Sequence, residues 1–311
     1  MKPAPSIIFF TVASGAGYGL LFWLGVLKPL GLLPASSLFG ATAAIIALAL
    51  ITAGLCSSLL HLGRPERAWR ALSQWRTSWL SREGVAAILT FLPATVFLIS
   101  LAHGETALMV PAGLLSAVGA ALTVYCTGMI YASLKPVKEW YHPMVAPGYL
   151  LFASFSGASL LAMLAIFWGG GFFPALVAAA LGLAALMFKR AYWASVDATP
   201  ATSTRESATG LGFIGKVRPL ESPHTESNYL LREMAFRVGR VHAAKLRVIA
   251  LLLGFAVPAL LFCLAIILGG GAAMALGLLA AASAVAGLLV ERWLIFAEAT
   301  HTVALYYPGQ R

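Results

Sequence analysis

Apolar residues run through this chain in long unbroken blocks, not in alternation with polar ones. Eight blocks approach or exceed the roughly 20 residues needed to cross a bilayer: 6–27, 37–60, 84–102, 107–134, 148–168, 172–188, 248–268 and 272–290. No period-2 alternation appears, and inside lipid only helices and closed barrels satisfy their own backbone groups. The pattern predicts an all-α integral membrane protein: a bundle of eight transmembrane helices with short interfacial helices, forming one domain over 1–311. Small residues recur within the blocks (Ser14, Gly15, Gly17, Gly19, Gly182, Gly254), which allows helices to approach closely. The first block is too long for a signal-peptide core and has no small-x-small cleavage site after it, so it reads as a retained helix.

The connectors alternate in character. Three are short turns: 103–106, and the glycine triplets 169–171 and 269–271. The others are long and charged. Lys2, the arginines of the second connector (Arg64, Arg67, Arg70, Arg76, Arg82), Lys135 and Lys138, the ten cations of 189–247 and Arg311 all fall on one side, against Lys28 alone on the other. Arg292, at the end of block eight, leans to the crowded side and, with Trp293, reads as an interface anchor. The positive-inside rule places that side and both termini in the cytoplasm. The connector 189–247 is the longest. Its first part, "SVDATPATSTRESATG", reads as irregular. Its second has Leu230, Met234, Val238 and Val241 at helical spacing, as in a surface helix or a run into block seven.

Composition agrees with a membrane protein. Of 311 residues 60% are apolar and 10% charged, with mean hydropathy +0.88; a soluble domain carries about 25% charged residues. The net charge of +10 points to cytoplasmic loops and anionic lipid, not to nucleic acid. Cys56, Cys126 and Cys263 each stand alone in an apolar block, so they read as small buried hydrophobes and not as ligands of zinc or an iron–sulfur cluster.

The second connector, "HLGRPERAWRALSQWRTSWLSREG", gathers the most chemistry. Pro65 suits a helix first turn. Beyond it Ala68, Trp69, Leu72 and Trp75 fall on one side and Arg64, Arg67 and Arg70 toward the other, the pattern of an interfacial amphipathic helix. Anchoring accounts for the arginines and tryptophans. It does not account for His61, which ends block two, or Glu83, which begins block three. A His and a Glu at one membrane depth could exchange the two protons that accompany two-electron quinone reduction. Alternatively Glu83 pairs with Arg82, Arg76 or Arg64 and locks the connector. A second cluster, "ERWLIFAEATH", holds Glu291, Glu298 and His301, suited either to salt bridging or to a secondary site. Every histidine stands at a block end or in a loop, including His142, His224 and His242, which weighs against axial haem ligation.

"HLGRPERAWRAL", "TSWLSREG" and "ERWLIFAEATH", in that order on eight expected spans, resemble the membrane anchor subunit of the DMSO reductase family of molybdenum enzymes (DmsC-like) over nearly the whole chain. The long sixth connector, with "PHTESNYLLREMAFRVGRVHAAKLR", is most similar to the anchors (SoeC-type) of the quinone-linked sulfite dehydrogenases. The resemblance implies an anchor with no redox metal of its own. It would hold a molybdopterin catalytic subunit and an iron–sulfur subunit on the membrane and exchange electrons with ubiquinone or menaquinone. It matches the family's functionally implicated His and Glu to His61 and Glu83. Arg64, Arg82 and Trp79 beside them complete the candidate quinone-binding and proton-transfer set. Arg67, Arg70, Arg76, Arg232 and Arg237 are candidates for partner docking.

The cytoplasmic reading of the charged face favours the sulfite branch, in a bacterial inner membrane, over a DMSO or S-oxide reductase oxidising menaquinol. A secondary transporter would need charged groups near mid-depth, and the block interiors carry none. A purely structural anchor remains open from the residues alone.

Overall fold

The computed structural model describes residues 2–60, 62–104, 107–200, 203–221 and 241–306. His61, His224, Arg232 and Arg237, with the expected helix through Leu230, Met234 and Val238, lie outside the described residues. Eight long apolar helices account for the expected bundle: α1 Pro5–Leu27, α2 Ser37–Leu59, α3 Trp79–His103, α4 Met109–Ala132, α5 Val145–Phe167, α6 Phe172–Ala198, α7 Ala243–Leu268 and α8 Gly270–Ala297. Their number and alternation bring the starts of α1, α3, α5 and α7 and the ends of α2, α4, α6 and α8 to one face, called here the connector face. The tight turns lie on the other.

Local chemistry sets several helix ends. The Ser36 hydroxyl accepts from the Phe39 N–H at 3.3 Å and starts α2; Ser78 caps α3 in the same way. Gly104 closes α3 in the left-handed region at φ 71°, and Gly269 and Gly270, at 63° and 54°, make the turn from α7 to α8. Such angles suit glycine, which lacks a Cβ. Within α7 the residues Leu252–Ala256 form a π-turn just before Pro258, whose missing N–H cannot continue the α ladder.

Helix α1 is the hub. Its most apolar window is 72% buried, against 39% in α2, α3, α6 and α8, and it packs on α2, α4, α5 and α8. The α1–α5 crossing is close enough that a Cβ on Gly157 would collide with the Gly19 backbone. Leu20, Leu21, Leu24, Phe39 and Phe97 fill the core around α1, and Phe155, Phe255 and Phe262 fill it between α5, α6 and α7. Leu89, Leu92, Leu115, Leu183 and Ile267 face outward, where lipid would cover them. Cys126 is buried, but Cys56 and Cys263 are exposed on the outer faces, which corrects their reading as core residues.

The larger corrections lie at the connector face. Helix α3 begins at Trp79 and not at 84, α6 runs on to Ala198, and α8 runs on to Ala297. Lys189 therefore belongs to a helix and not to a connector, and Glu291 is inside α8 and not beyond it. The stretch read as irregular holds a short helix, Arg205–Thr209, started by a Thr204 capping box. The second connector is a 3₁₀ helix, Pro65–Gln74, with no buried residue.

Candidate functional site

Arg82 and Glu83 are neighbours on α3, so they point about 100° apart. The Arg82 guanidinium turns out to the connector: it donates to the carbonyls of Trp75 at 3.0 Å and Arg76 at 2.7 Å, and lies 4.2 Å from the Trp79 ring. Trp79 in turn meets Tyr125 of α4 edge-on. This clamp holds the 3₁₀ segment against α3, helped by the Ser81 hydroxyl on the Ala71 carbonyl. Along the segment Arg70 lies over Trp69 and Arg76 over Trp75; both rings are exposed. Arg64 and Arg67 are exposed, and Arg67 reaches Glu66 at 4.0 Å.

Glu83 goes the other way, into the bundle, and is 4% exposed. None of Arg64, Arg76 or Arg82 pairs with it. Its Oε1 accepts from the Thr127 hydroxyl of α4, and it makes no ion pair among the described residues. A ladder of hydroxyls continues from Thr127, which also bonds the Thr123 carbonyl at 3.1 Å, to Thr123 and on to Thr90 at 3.3 Å. Thr90, with Ala86, Leu89, Pro93, Leu115 and Leu122, lines an apolar groove of about 650 Å³ along α3 and α4.

The C-terminal cluster divides. Glu291 pairs with both Lys189 of α6 and its neighbour Arg292, and all three are buried. Lys189 also sits 4.4 Å and 4.6 Å from the Tyr192 and Trp193 rings. Arg292 lies 4.3 Å from the Tyr149 ring, which stacks on Tyr131. Arg292 is therefore a core cation and not an interface anchor, and buried charge stands toward the connector-face ends of the helices. A cavity of about 20 Å³, lined by Thr11, Ser14, Thr127, Tyr149, Ser156 and Arg292 among others, has the partner of Glu83 and one member of the triad on its wall.

Glu298 lies just beyond α8. It takes Arg247 at 2.7 Å and the Trp193 indole at 3.2 Å, while Arg247 also grips both Asp197 oxygens. Burial outweighs Arg247 and holds the Glu298 carboxyl above its ordinary range. His301 is elsewhere: its Nδ1 accepts from the Val303 N–H at 3.1 Å, and burial lowers its proton affinity. His142, on Ser195 at 3.0 Å, is lowered by burial as well. Among the described residues no three His, Cys, Asp or Glu side chains are grouped as a metal site would need.

Thr127, Tyr149 and Lys189 were not singled out from the sequence. For Lys189 a signal existed: Lys189, Tyr192, Trp193 and Val196 share a 3/4/7 spacing and are all buried. Read as a continuing helix, that spacing would have drawn Lys189 inward.

The family described as DMSO reductase anchor subunit (DmsC) matches residues 1–307. The chain belongs to that family. A sulfite dehydrogenase subunit of Allochromatium vinosum is 34% identical to this DmsC-family chain over 329 aligned positions, covering 99% of each. Eight apolar helices on a DmsC-family chain make it a multi-pass membrane protein.

Proposed function

We propose that this chain is the quinone-reactive anchor of a molybdopterin oxidoreductase. It carries electrons from an iron–sulfur subunit on the connector face to the quinone pool, with sulfite oxidised by the catalytic partner. The observation that carries the reading is Glu83: a buried carboxylate, one turn inside α3, with one hydroxyl partner and no ion pair among the described residues. A carboxylate committed to structure would be paired; one that trades protons with a substrate needs a partner that leaves it free to change charge. The apolar groove beginning at Ala86, one turn from Glu83, suits an isoprenoid tail. By resemblance, His61 is proposed to work with Glu83; Arg64, Arg82 and Trp79 belong to the connector side of the candidate set, with the Arg82 guanidinium turned away from Glu83. The exposed Arg67, Arg70 and Arg76 beside Trp69 and Trp75 form a surface for the extrinsic subunits; Arg232 and Arg237 are proposed to extend it.

The net reaction would be oxidation of sulfite plus water to sulfate, releasing two protons and two electrons, which reduce quinone to quinol. The full-length similarity to a sulfite dehydrogenase subunit favours this branch, as does the positive-inside count, which supports a cytoplasmic connector face in a bacterial inner membrane. The family description keeps a second reading, an S-oxide reductase anchor oxidising menaquinol.

Glu83→Gln keeps shape and the Thr127 contact. Sulfite-dependent quinone reduction in membranes should fall at least about tenfold, in line with loss of a proton-transfer group. Normal turnover with an assembled complex would leave only anchoring. An alkaline-phosphatase fusion after Gln74 should be inactive; high periplasmic activity would refute the sulfite branch.

A further inference from the structure

Four charged side chains are buried among the described residues: Glu83, Lys189, Glu291 and Arg292. Two are cations and two are anions. Lys189 and Arg292 both close on Glu291, so that triad carries one positive charge in excess; Glu298, partly buried, also faces Lys189 but is taken by Arg247, which leaves Glu83 as the fully buried carboxylate outside the triad. Uncompensated charge is strongly disfavoured in a low-dielectric interior.

Glu83 makes no ion pair with the triad, and the cavity of about 20 Å³ touches both sides, through Thr127 and Arg292. That volume admits one water, which needs two to four polar partners. Thr127 lines the cavity while donating to Glu83. Arg292 lines it while holding Glu291. Tyr149 lines it too, and its buried hydroxyl, which lies beside the Arg292 guanidinium, makes no well-formed hydrogen bond among the described residues. The other hydroxyls on the wall, Thr11, Ser14 and Ser156, already donate to carbonyls of their own helices. Among the described residues, the other groups around Glu83 are neutral: Tyr18 of α1, Thr123, Cys126 and Tyr131 of α4, and Tyr149 of α5. On α3 itself, Arg82 is turned away to the connector.

We propose that Glu83 and the Lys189–Glu291–Arg292 triad form one charge-balanced unit across the bundle, joined by a single bound water on Thr127, Tyr149 and Arg292. Lys189 and Arg292 are then positioning residues for Glu83, acting without touching substrate. The bearing on turnover rests on the quinone reading of Glu83; the charge balance itself does not.

The test is a set of double-mutant cycles on the melting temperature of the full chain in lipid nanodiscs. Glu83→Gln and Lys189→Met each leave one unbalanced buried charge, and together they leave none. Their combined loss should therefore be several degrees smaller than the sum. Glu83→Gln with Glu291→Gln leaves two positive charges in excess, and the loss should exceed the sum. Lys189→Arg, which keeps the charge, should show no coupling to Glu83→Gln. Additive losses in both cycles would overturn the proposal. Where Lys189→Met alone does not accumulate, recovery in the double variant with Glu83→Gln supports it, and continued absence overturns it.

A second readout is quinone-linked turnover of the assembled complex. Lys189→Met should lose about tenfold, and Lys189→Met/Glu291→Gln, which restores the triad's charge, should return to within about threefold. A merely structural role would not produce that recovery, and its absence in an assembled complex overturns the positioning role. If Glu83→Gln keeps normal turnover, the quinone reading fails while the melting cycles still decide the charge balance.

Discussion

Thr127 supplies the one hydrogen bond that Glu83 receives among the described residues, which makes Thr127→Val a sharp perturbation. The substitution exchanges a hydroxyl for a methyl of nearly the same shape, so the α3–α4 packing is kept. Glu83, 4% exposed, would then sit in the bundle with no donor. A hydrogen bond to a charged group contributes about 1.5–3 kcal/mol net, and an unsatisfied buried acceptor costs a similar amount. Taking about 2 kcal/mol, at roughly 1.4 kcal/mol per factor of ten, gives close to 30-fold. That factor should appear as a fall in quinone-linked turnover in membranes where the complex is assembled to wild-type level. Thr127→Ser, which returns the hydroxyl, should recover most of it. Turnover of Thr127→Val within about twofold of wild type would refute the claim that this hydroxyl orients Glu83.

Two further outcomes follow from the packing and the connector face. Gly157→Leu places a side chain into the Gly19 backbone, so α1 and α5 must part; overpacking of this kind costs about 1–3 kcal/mol or more, and yield and melting temperature in detergent should both drop, whereas Gly271→Ala, at an uncrowded glycine outside the left-handed region, should cost less than about 1 kcal/mol. His142 has its proton affinity lowered by burial, so the unfolded chain binds the proton more readily than the folded one. Its stabilising contribution is present above the ordinary histidine range and is lost as pH falls through the lowered folded value. Melting temperature should therefore decline on acidification below about pH 6.5, and His142→Asn should flatten that decline; an unchanged pH profile would refute it.

All eight helices were legible from hydropathy, because a membrane-spanning stretch must be apolar whatever it packs against. Their connector-face ends were not. Trp79–Glu83, Lys189–Ala198 and Glu291–Ala297 continue α3, α6 and α8 with charged and aromatic residues, and hydropathy follows contact with lipid, not the backbone ladder. Charges that turn inward at such ends look the same in sequence as charges that turn to water. Glu83 was legible as unusual, since anchoring left it unexplained. Its partner was not, because Thr127 lies 44 residues away and resembles any helix-facing threonine. The triad was half legible: Glu291 stood out as an acid, while Lys189 and Arg292 were absorbed into the count of surface cations.

The central place of α1 has a consequence for how the molecule is made. Of the eight helices it is the first to leave the ribosome, and it is covered by α2, α4, α5 and α8. Two of those four have not been translated when the first four helices are already in the bilayer. Until α8 arrives, part of α1 and the small residues it presents must face lipid or a chaperone of the insertion machinery. The earliest helix is thus the last to be fully enclosed, and a ribosome that stalls late in the message leaves the centre of the molecule on its outside.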